Sequence, residues 1–309
     1  MKIGLIDVDG HNFPNLPLMK LSAYHKKQGD QTEFYNPWDG IVEPYDIVYM
    51  SKVFSFTPDY QAPVYATEVH RGGSGYCIDL EDGKEVFHAE RDKNLPEEIE
   101  HIYPDYDLYG IKDTAYGFLT RGCPRGCGFC HVASKEGRCS YKVADLDEFW
   151  KGQKEIVLCD PNLLACTNHK DLLQQLVDSK SKVEFNQGMD IRLVTDKNID
   201  LIRKIKLNVV HFAYDRWQDK EIIEPALKMF KEATGYDKHK VMVYILVNYD
   251  STIEQDLHRI DYVGNVLGFQ PYPMIYDKEH CDPIYNKIQR WCNPRIFASC
   301  PTFEEYKRR

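Results

Sequence analysis

Three cysteines fall within eight residues of the stretch "LTRGCPRGCGFCHV" (119–132): Cys123, Cys127 and Cys130, spaced C-x3-C-x2-C among Gly122, Pro124, Gly126 and Gly128. A structural zinc site uses four protein ligands, usually as two paired half-sites. Here His131 adjoins Cys130 and is poorly placed to close a tetrahedron, which leaves Cys139 as the nearby candidate for a fourth ligand. Three thiolates at this spacing instead fit an iron–sulfur cluster in which one iron keeps no protein ligand. An open iron is a place for a substrate or cofactor to bind, and the glycines let the backbone fold around a cluster. Zinc is the competing expectation, and metal analysis separates the two.

Hydrophobic periodicity gives the elements that must position this loop. "KIGLIDV" (2–8) has the continuous apolar look of a buried parallel strand, followed by a helical pattern from Leu16 to a stop at Gly29. "TEFYN" and "YDIVYMS" (45–51) read as further strands, and residues 59–69 as a helix. This alternation predicts a doubly wound α/β domain over 1–108. Its last part, 77–108, reads as an acidic connecting segment with one short helix.

From residue 109 the alternation restarts. Candidate strands lie at 115–120, 155–159, 183–187, 209–213, 241–247 and 266–270, with helical patterns between them, the first at 145–153. The simplest arrangement is a (β/α)6 partial TIM barrel over 109–309. Chemistry in such barrels sits at the C-terminal ends of the strands. The cysteine loop follows the first strand. Asp160 and Asn162 follow the second, Gln187, Asp190 and Arg192 the third, Tyr214, Asp215 and Arg216 the fourth, and Asn248 and Tyr249 the fifth. Each alone is an ordinary cap or turn residue; their recurrence at successive strand ends marks a site.

"CPRGCGFC", with Phe129 before its last cysteine, resembles the defining motif of the radical S-adenosylmethionine (SAM) superfamily. The resemblance implies that Cys123, Cys127 and Cys130 hold three irons of a [4Fe–4S] cluster and that the fourth iron binds SAM. It also implies an electron donor of flavodoxin or ferredoxin type and hydrogen abstraction from a substrate. Cofactor contacts carried over in this way are Phe129, Asp160, Asn162, Gln187, Asp190, Arg192, Asp215 and Asn248. Arg192 is the candidate partner of the SAM carboxylate. The sequence departs from the family's Gly-Gly-Glu pattern after the second strand, where "CDPNLLAC" stands instead.

The amino-terminal stretch resembles the cobalamin-binding-like domain that precedes the barrel in one branch of that superfamily. Cobalamin binders of this type carry Asp-x-His-x-x-Gly. Here Asp9 and His11 match the first spacing, but position 14 is proline, so the motif is half-formed and cobalamin is not expected. Asp7, Asp9, His11 and Asn12, with Ser51 and Lys52 after a later strand and Arg216, are the candidate substrate contacts. Capping of the helix near Asn15 is an equally good use for the loop residues. Gly72, Gly73 and Gly75 read either as a bare turn or as a phosphate cradle. Cys281, Cys292 and Cys300 are too irregularly spaced for a second cluster.

Composition bounds the function. The chain has 309 residues, 43% hydrophobic and 28% charged, with a net charge of −9. Proteins that bind large nucleic acids present a basic field, so RNA and DNA are disfavoured; the resemblance across the whole chain to one compact radical SAM group implies a small nucleoside or nucleotide substrate. The longest apolar run, "VMVYILV", is far short of a bilayer span, so no membrane association is expected. Asp7 and Asp9 stand where an export signal needs apolar residues; a cytoplasmic setting is expected, in which ten cysteines serve as thiols or metal ligands. Competing expectations are a radical methyltransferase, another modifying enzyme acting on a small molecule or peptide, and a non-catalytic zinc protein.

Overall fold

The computed structural model describes residues 1–81 and 84–307. The chain divides into two compact units. The first comprises Met1–Gly117, Arg125–Arg138 and Ala144–Lys154; the second comprises Phe118–Pro124, Cys139–Val143 and the chain from Glu155 onward. Both are built on parallel sheets with helices between the strands, so the chain is mixed α/β.

In the first unit, β1 (Lys2–Asp7), β2 (Gln31–Phe34), β3 (Tyr45–Ser51) and β4 (Ala66–Gly72) form a four-stranded sheet in the order β2-β1-β3-β4. All three pairings are parallel, with Asp7 opposite Ser51 and Ser51 opposite Gly72. Because side chains alternate along a strand, Ile3 and Leu5 share one core with Leu18 and Leu21, whereas Ile6 joins Tyr45, Val48 and Met50 in another. Leu18 and Leu21 belong to α1 (Leu16–Lys27), which starts at Asn15, whose side chain accepts from the Leu18 amide. Basic residues fill its last turn, complementing the helix dipole. A shorter helix, α2 (Pro37–Val42), joins β2 to β3.

Two expectations fail in this unit. Residues 59–69 do not form a helix; Ala66–Gly72 is strand β4. Pro58 and Pro63 cannot donate within a helix, and Thr67 and Val69 favour extended backbone. Most of β4 is exposed and carries Glu68, His70 and Arg71, as suits a charged edge strand. The acidic connector also holds more than one helix. β5 (Ile78–Glu81) pairs antiparallel with β6 (Lys84–Phe87), before α3 (Glu97–Glu100) sets Ile99 against Leu18 and Leu21. Asp82 and Gly83 lie outside the described residues.

β7 (Thr114–Gly117) precedes a short antiparallel pair, β8 (Thr120–Arg121) with β9 (Tyr141–Lys142), and α4 (Val132–Lys135) lies between these last two in sequence. The strands β10 (Glu155–Leu158), β11 (Lys182–Met189), β12 (Lys206–Ala213), β13 (Val241–Val247) and β14 (Gln270–Ile275) follow. The larger sheet has six strands, ordered β14-β13-β12-β11-β10-β7, and the pairings from β10 to β14 are parallel. Its connections are α5 (His169–Ser179), α6 (Asp196–Lys204), α7 (Lys220–Thr234) and α8 (Ile253–Asp261). Helices α9 (Ile284–Trp291), α10 (Pro294–Ser299) and α11 (Phe303–Lys307) close the chain. Val241, Val243, Ile245 and Val247 are fully buried and share one face of β13, while Met242 and Tyr244 on the other face are half-buried.

Two further expectations are corrected. The last strand begins at Gln270, not 266, because α8 runs on as a π-helical turn over Tyr262–Val266, and Gly268, at φ +69°, breaks from helical backbone before the strand. The pattern at 145–153 yields a single turn, Leu146–Glu148; Gly152, at φ +97°, is incompatible with a continuing helix. Among the described residues no helix is long and apolar enough to cross a membrane.

Candidate functional site

In the second unit the cysteine loop is approached through Phe118–Pro124, and one carboxylate organises that approach. Asp160, two residues beyond β10, accepts from the Leu119 amide at 3.1 Å to each oxygen, from the Thr120 amide at 2.5 Å and from the Thr120 hydroxyl at 2.7 Å. It is buried, so its oxygens are committed to holding the backbone three residues before Cys123. Gly122, at φ +78°, makes the turn into the cysteine, a conformation that L side chains avoid.

Burial pushes the Asp160 carboxyl up to about 6, against the opposing effect of its hydrogen bonds. An unfolded aspartate titrates near 3.8, so the folded state holds its proton more tightly. The resulting stabilisation is complete below pH 3.8 and is lost as pH rises through about 6. Asp160→Asn does not titrate. Its stability deficit relative to the parent protein is therefore expected to be largest near about pH 4 and to shrink by about pH 7. Urea unfolding of both proteins across that range checks this; a deficit that grows with pH would contradict it.

Asn162 lies beside the first cysteine. Its Nδ2 is 3.5 Å from the Cys123 sulfur and 3.5 Å from Asp190 Oδ2. The residue is 2% exposed, and its Oδ1 is buried with no partner among the described residues. An unsatisfied buried acceptor costs about 1–3 kcal/mol, so this atom is suited to the N–H of a ligand. Asp190, just past β11, accepts from Arg192 Nε at 2.7 Å, and Arg192 Nη1 reaches Asp219 at 3.0 Å. The guanidinium is thus clasped between two carboxylates.

The remaining strand-end candidates separate by environment. Asp215 accepts from the Leu246 amide at 3.1 Å, and burial raises its carboxyl to about 6. Asn248, at φ +63°, donates its amide to Asp256. Gln187 and Arg216 are exposed. Two residues that sequence reasoning missed brace this end of the sheet. Arg259 and Asp256, on α8, have fully buried side chains and form an ion pair. Arg259 also donates to the carbonyls of Tyr214 at 2.6 Å and Leu246 at 2.8 Å. Their i,i+3 spacing looks like an ordinary surface pair in sequence, so only the burial reveals them.

In the first unit Cys127 is half-buried and Cys130 exposed; the Cys130 amide donates to the Cys127 carbonyl at 3.0 Å. Gly126, before Cys127, is left-handed at φ +58°. Phe129 is half-buried. Cys123 belongs to the second unit. None of the three thiols is in a disulfide. Gly122 and Gly126, in backbone conformations that glycine best adopts, directly precede Cys123 and Cys127.

The amino-terminal loop residues are engaged mainly with their own unit. Asp9 accepts from the amides of Val53 and Phe54 and from the Thr57 hydroxyl at 2.5, 3.3 and 2.7 Å. Asp7 accepts from the Tyr109 hydroxyl at 2.7 Å, and burial raises its carboxyl. His11 is exposed and stacks on Phe34 with centroids 4.0 Å apart; Asn12 is exposed too. Ser51 accepts from Asn15 Nδ2 at 2.8 Å. Lys52 is buried. Compared with known proteins, the chain matches no family model and no curated protein.

Proposed function

We propose that this chain is a radical SAM enzyme, and that its reaction is the release of queuine from queuosine 5′-phosphate, a lyase step in queuosine salvage. The observation that carries the first part is the C-x3-C-x2-C loop, outside any disulfide, with left-handed Gly122 and Gly126. On this reading the six-stranded sheet is a (β/α)6 partial barrel, and the first unit is a doubly wound, cobalamin-binding-like domain that holds no corrin.

Cys123, Cys127 and Cys130 would hold a [4Fe–4S] cluster. When bound, the cluster and SAM supply one-electron cleavage of a carbon–sulfur bond and a primary radical able to abstract hydrogen. The chain's own residues do the rest. Asp160 fixes the backbone that leads to Cys123. Asn162 donates towards the Cys123 sulfur and leaves its Oδ1 for a ligand ammonium. Arg192, held in place by Asp190 and Asp219, offers a preorganised cation to a carboxylate. Asp9 is assigned to loop structure and not to the substrate base, because its oxygens already serve Val53, Phe54 and Thr57.

The lyase part rests on resemblance across "IDVDGHNFPNLPLMKLSAYH", "SKVFSFTPDY" and "CDPNLLAC" to the radical SAM group that includes queuine lyase, and on the acidic composition. Anaerobically reconstituted protein given SAM, a reductant and queuosine 5′-phosphate is expected to release queuine together with 5′-deoxyadenosine. SAM cleavage without queuine, or equal release with SAM omitted, would rule out the lyase assignment.

A further inference from the structure

Outside the cysteine loop, the first unit brings two lysines to one glycine turn. After β4 the chain runs Gly72-Gly73-Ser74-Gly75, with Gly73 at φ +95°. The Gly75, Tyr76 and Cys77 amides are taken by the carbonyls of Lys52, Gly73 and Ser74. Among the described residues no acceptor meets the amides of Gly73 and Ser74. A Cβ on Gly72 would meet nothing within 4 Å, so the turn opens onto free space there.

Lys52 packs along this turn so closely that a Cβ on Gly75 would lie 2.5 Å from its Cγ. Its side chain is mostly buried; its ammonium lies 5.7 Å from the Tyr76 ring and is close enough to Asp59 to help hold that carboxyl below its ordinary value, with no carboxylate within ion-pair distance among the described residues. From the other side Lys135 donates to Ser74 Oγ at 2.5 Å, which leaves the serine hydroxyl hydrogen free to donate onward. Negative groups nearby are Asp92, 3.9 Å from Lys135, and Asp59, which accepts from the Tyr76 hydroxyl and is near Arg71 and Lys52. Two lysines and two unmet amides at one turn are suited to an anion.

We infer that Lys52, Lys135, Ser74 and the Gly73–Ser74 amides form a binding site for a phosphate monoester. Two ammonium groups neutralise the dianion, while the serine hydroxyl and two amides supply directed donors. As the phosphate site of the proposed substrate it rests on the lyase reading above; as an anion site it stands on these residues alone.

Calorimetric titration of the full chain with guanosine 5′-monophosphate, inorganic phosphate and guanosine tests it, with no SAM or reductant present. The monophosphate is expected to bind at least about tenfold more tightly than guanosine. Lys52→Met, which keeps the buried stem, and Lys135→Met should each weaken the monophosphate by about tenfold or more. Lys154→Met, at an exposed pair with Asp113, should not change it. Inorganic phosphate should compete. If Lys52→Met does not fold by circular dichroism, Lys135→Met and Ser74→Ala decide. Equal affinity for monophosphate and guanosine, or affinity unchanged in the folded variants, would overturn the site. Loss of this site with queuine release intact would leave the lyase assignment standing; phosphate binding without queuine release would sink the lyase assignment alone.

Discussion

Each of Cys123→Ala, Cys127→Ala and Cys130→Ala is expected to lose stable cluster incorporation and to reduce SAM cleavage to background. A three-thiolate set offers no spare ligand, and removing one leaves two irons of the cluster without a protein sulfur. The buried thiols provide the control. Cys300 is fully buried and Cys292 nearly so, and burial raises the Cys292 thiol well above its ordinary value, which marks it as an inert packing group. Cys300→Ala should therefore keep both iron and activity. Iron content and 5′-deoxyadenosine formation, measured on the same preparations, check the set. Full cleavage in any of the three loop variants would remove that cysteine from the site.

The second large effect is on stability. Arg259→Met is expected to destabilise the protein by about 3–5 kcal/mol, because it leaves the Asp256 carboxylate buried without its counter-charge. Asp256 would retain the Ser251 hydroxyl at 2.6 Å, the Asn248 amide at 3.2 Å and the Tyr285 hydroxyl. The Tyr214 and Leu246 carbonyls would lose their donor as well. These carbonyls lie next to Asp215 and Asn248, so the variant should also weaken ligand binding at the ends of β12 and β13. Replacing both partners with apolar residues, as in Asp256→Leu with Arg259→Met, is expected to recover part of the loss, since no uncompensated charge remains. Urea unfolding of the two singles and the double gives the coupling directly. A loss under about 1 kcal/mol for Arg259→Met would show that the pair does not brace the sheet.

The strongest patterns in the sequence became elements with little change. "YDIVYMS" is β3 and "VMVYILV" is β13, since long β-branched runs have few alternatives. The amphipathic patterns between the later strands became α5 to α8. Residues 59–69 misled because apolar spacing there carried no weight against Pro58 and Pro63, and because β4 is an exposed edge with a polar face. The antiparallel pair β5 and β6 was hidden in an acidic stretch whose charges looked like a connector.

The candidate site was legible to a different degree. Cysteine spacing names three thiols without any geometry. Asp160 and Asn162 were visible as strand-end residues, but their division of labour was not. Which carboxylate is filled by backbone amides and which amide oxygen is left over depends on burial, which spacing does not encode. Lys52 and Lys135 are separated by more than eighty positions in sequence, and only the fold brings both to Ser74 and its neighbours.

The central claim is the radical chemistry of the cysteine loop, and one measurement meets it most directly. Protein purified and reconstituted without oxygen, then mixed with SAM and dithionite, is analysed for bound metal, 5′-deoxyadenosine and methionine. The proposed chemistry requires about four irons per chain and the two SAM fragments in equal amounts. Stoichiometric zinc with no iron uptake and intact SAM would contradict it.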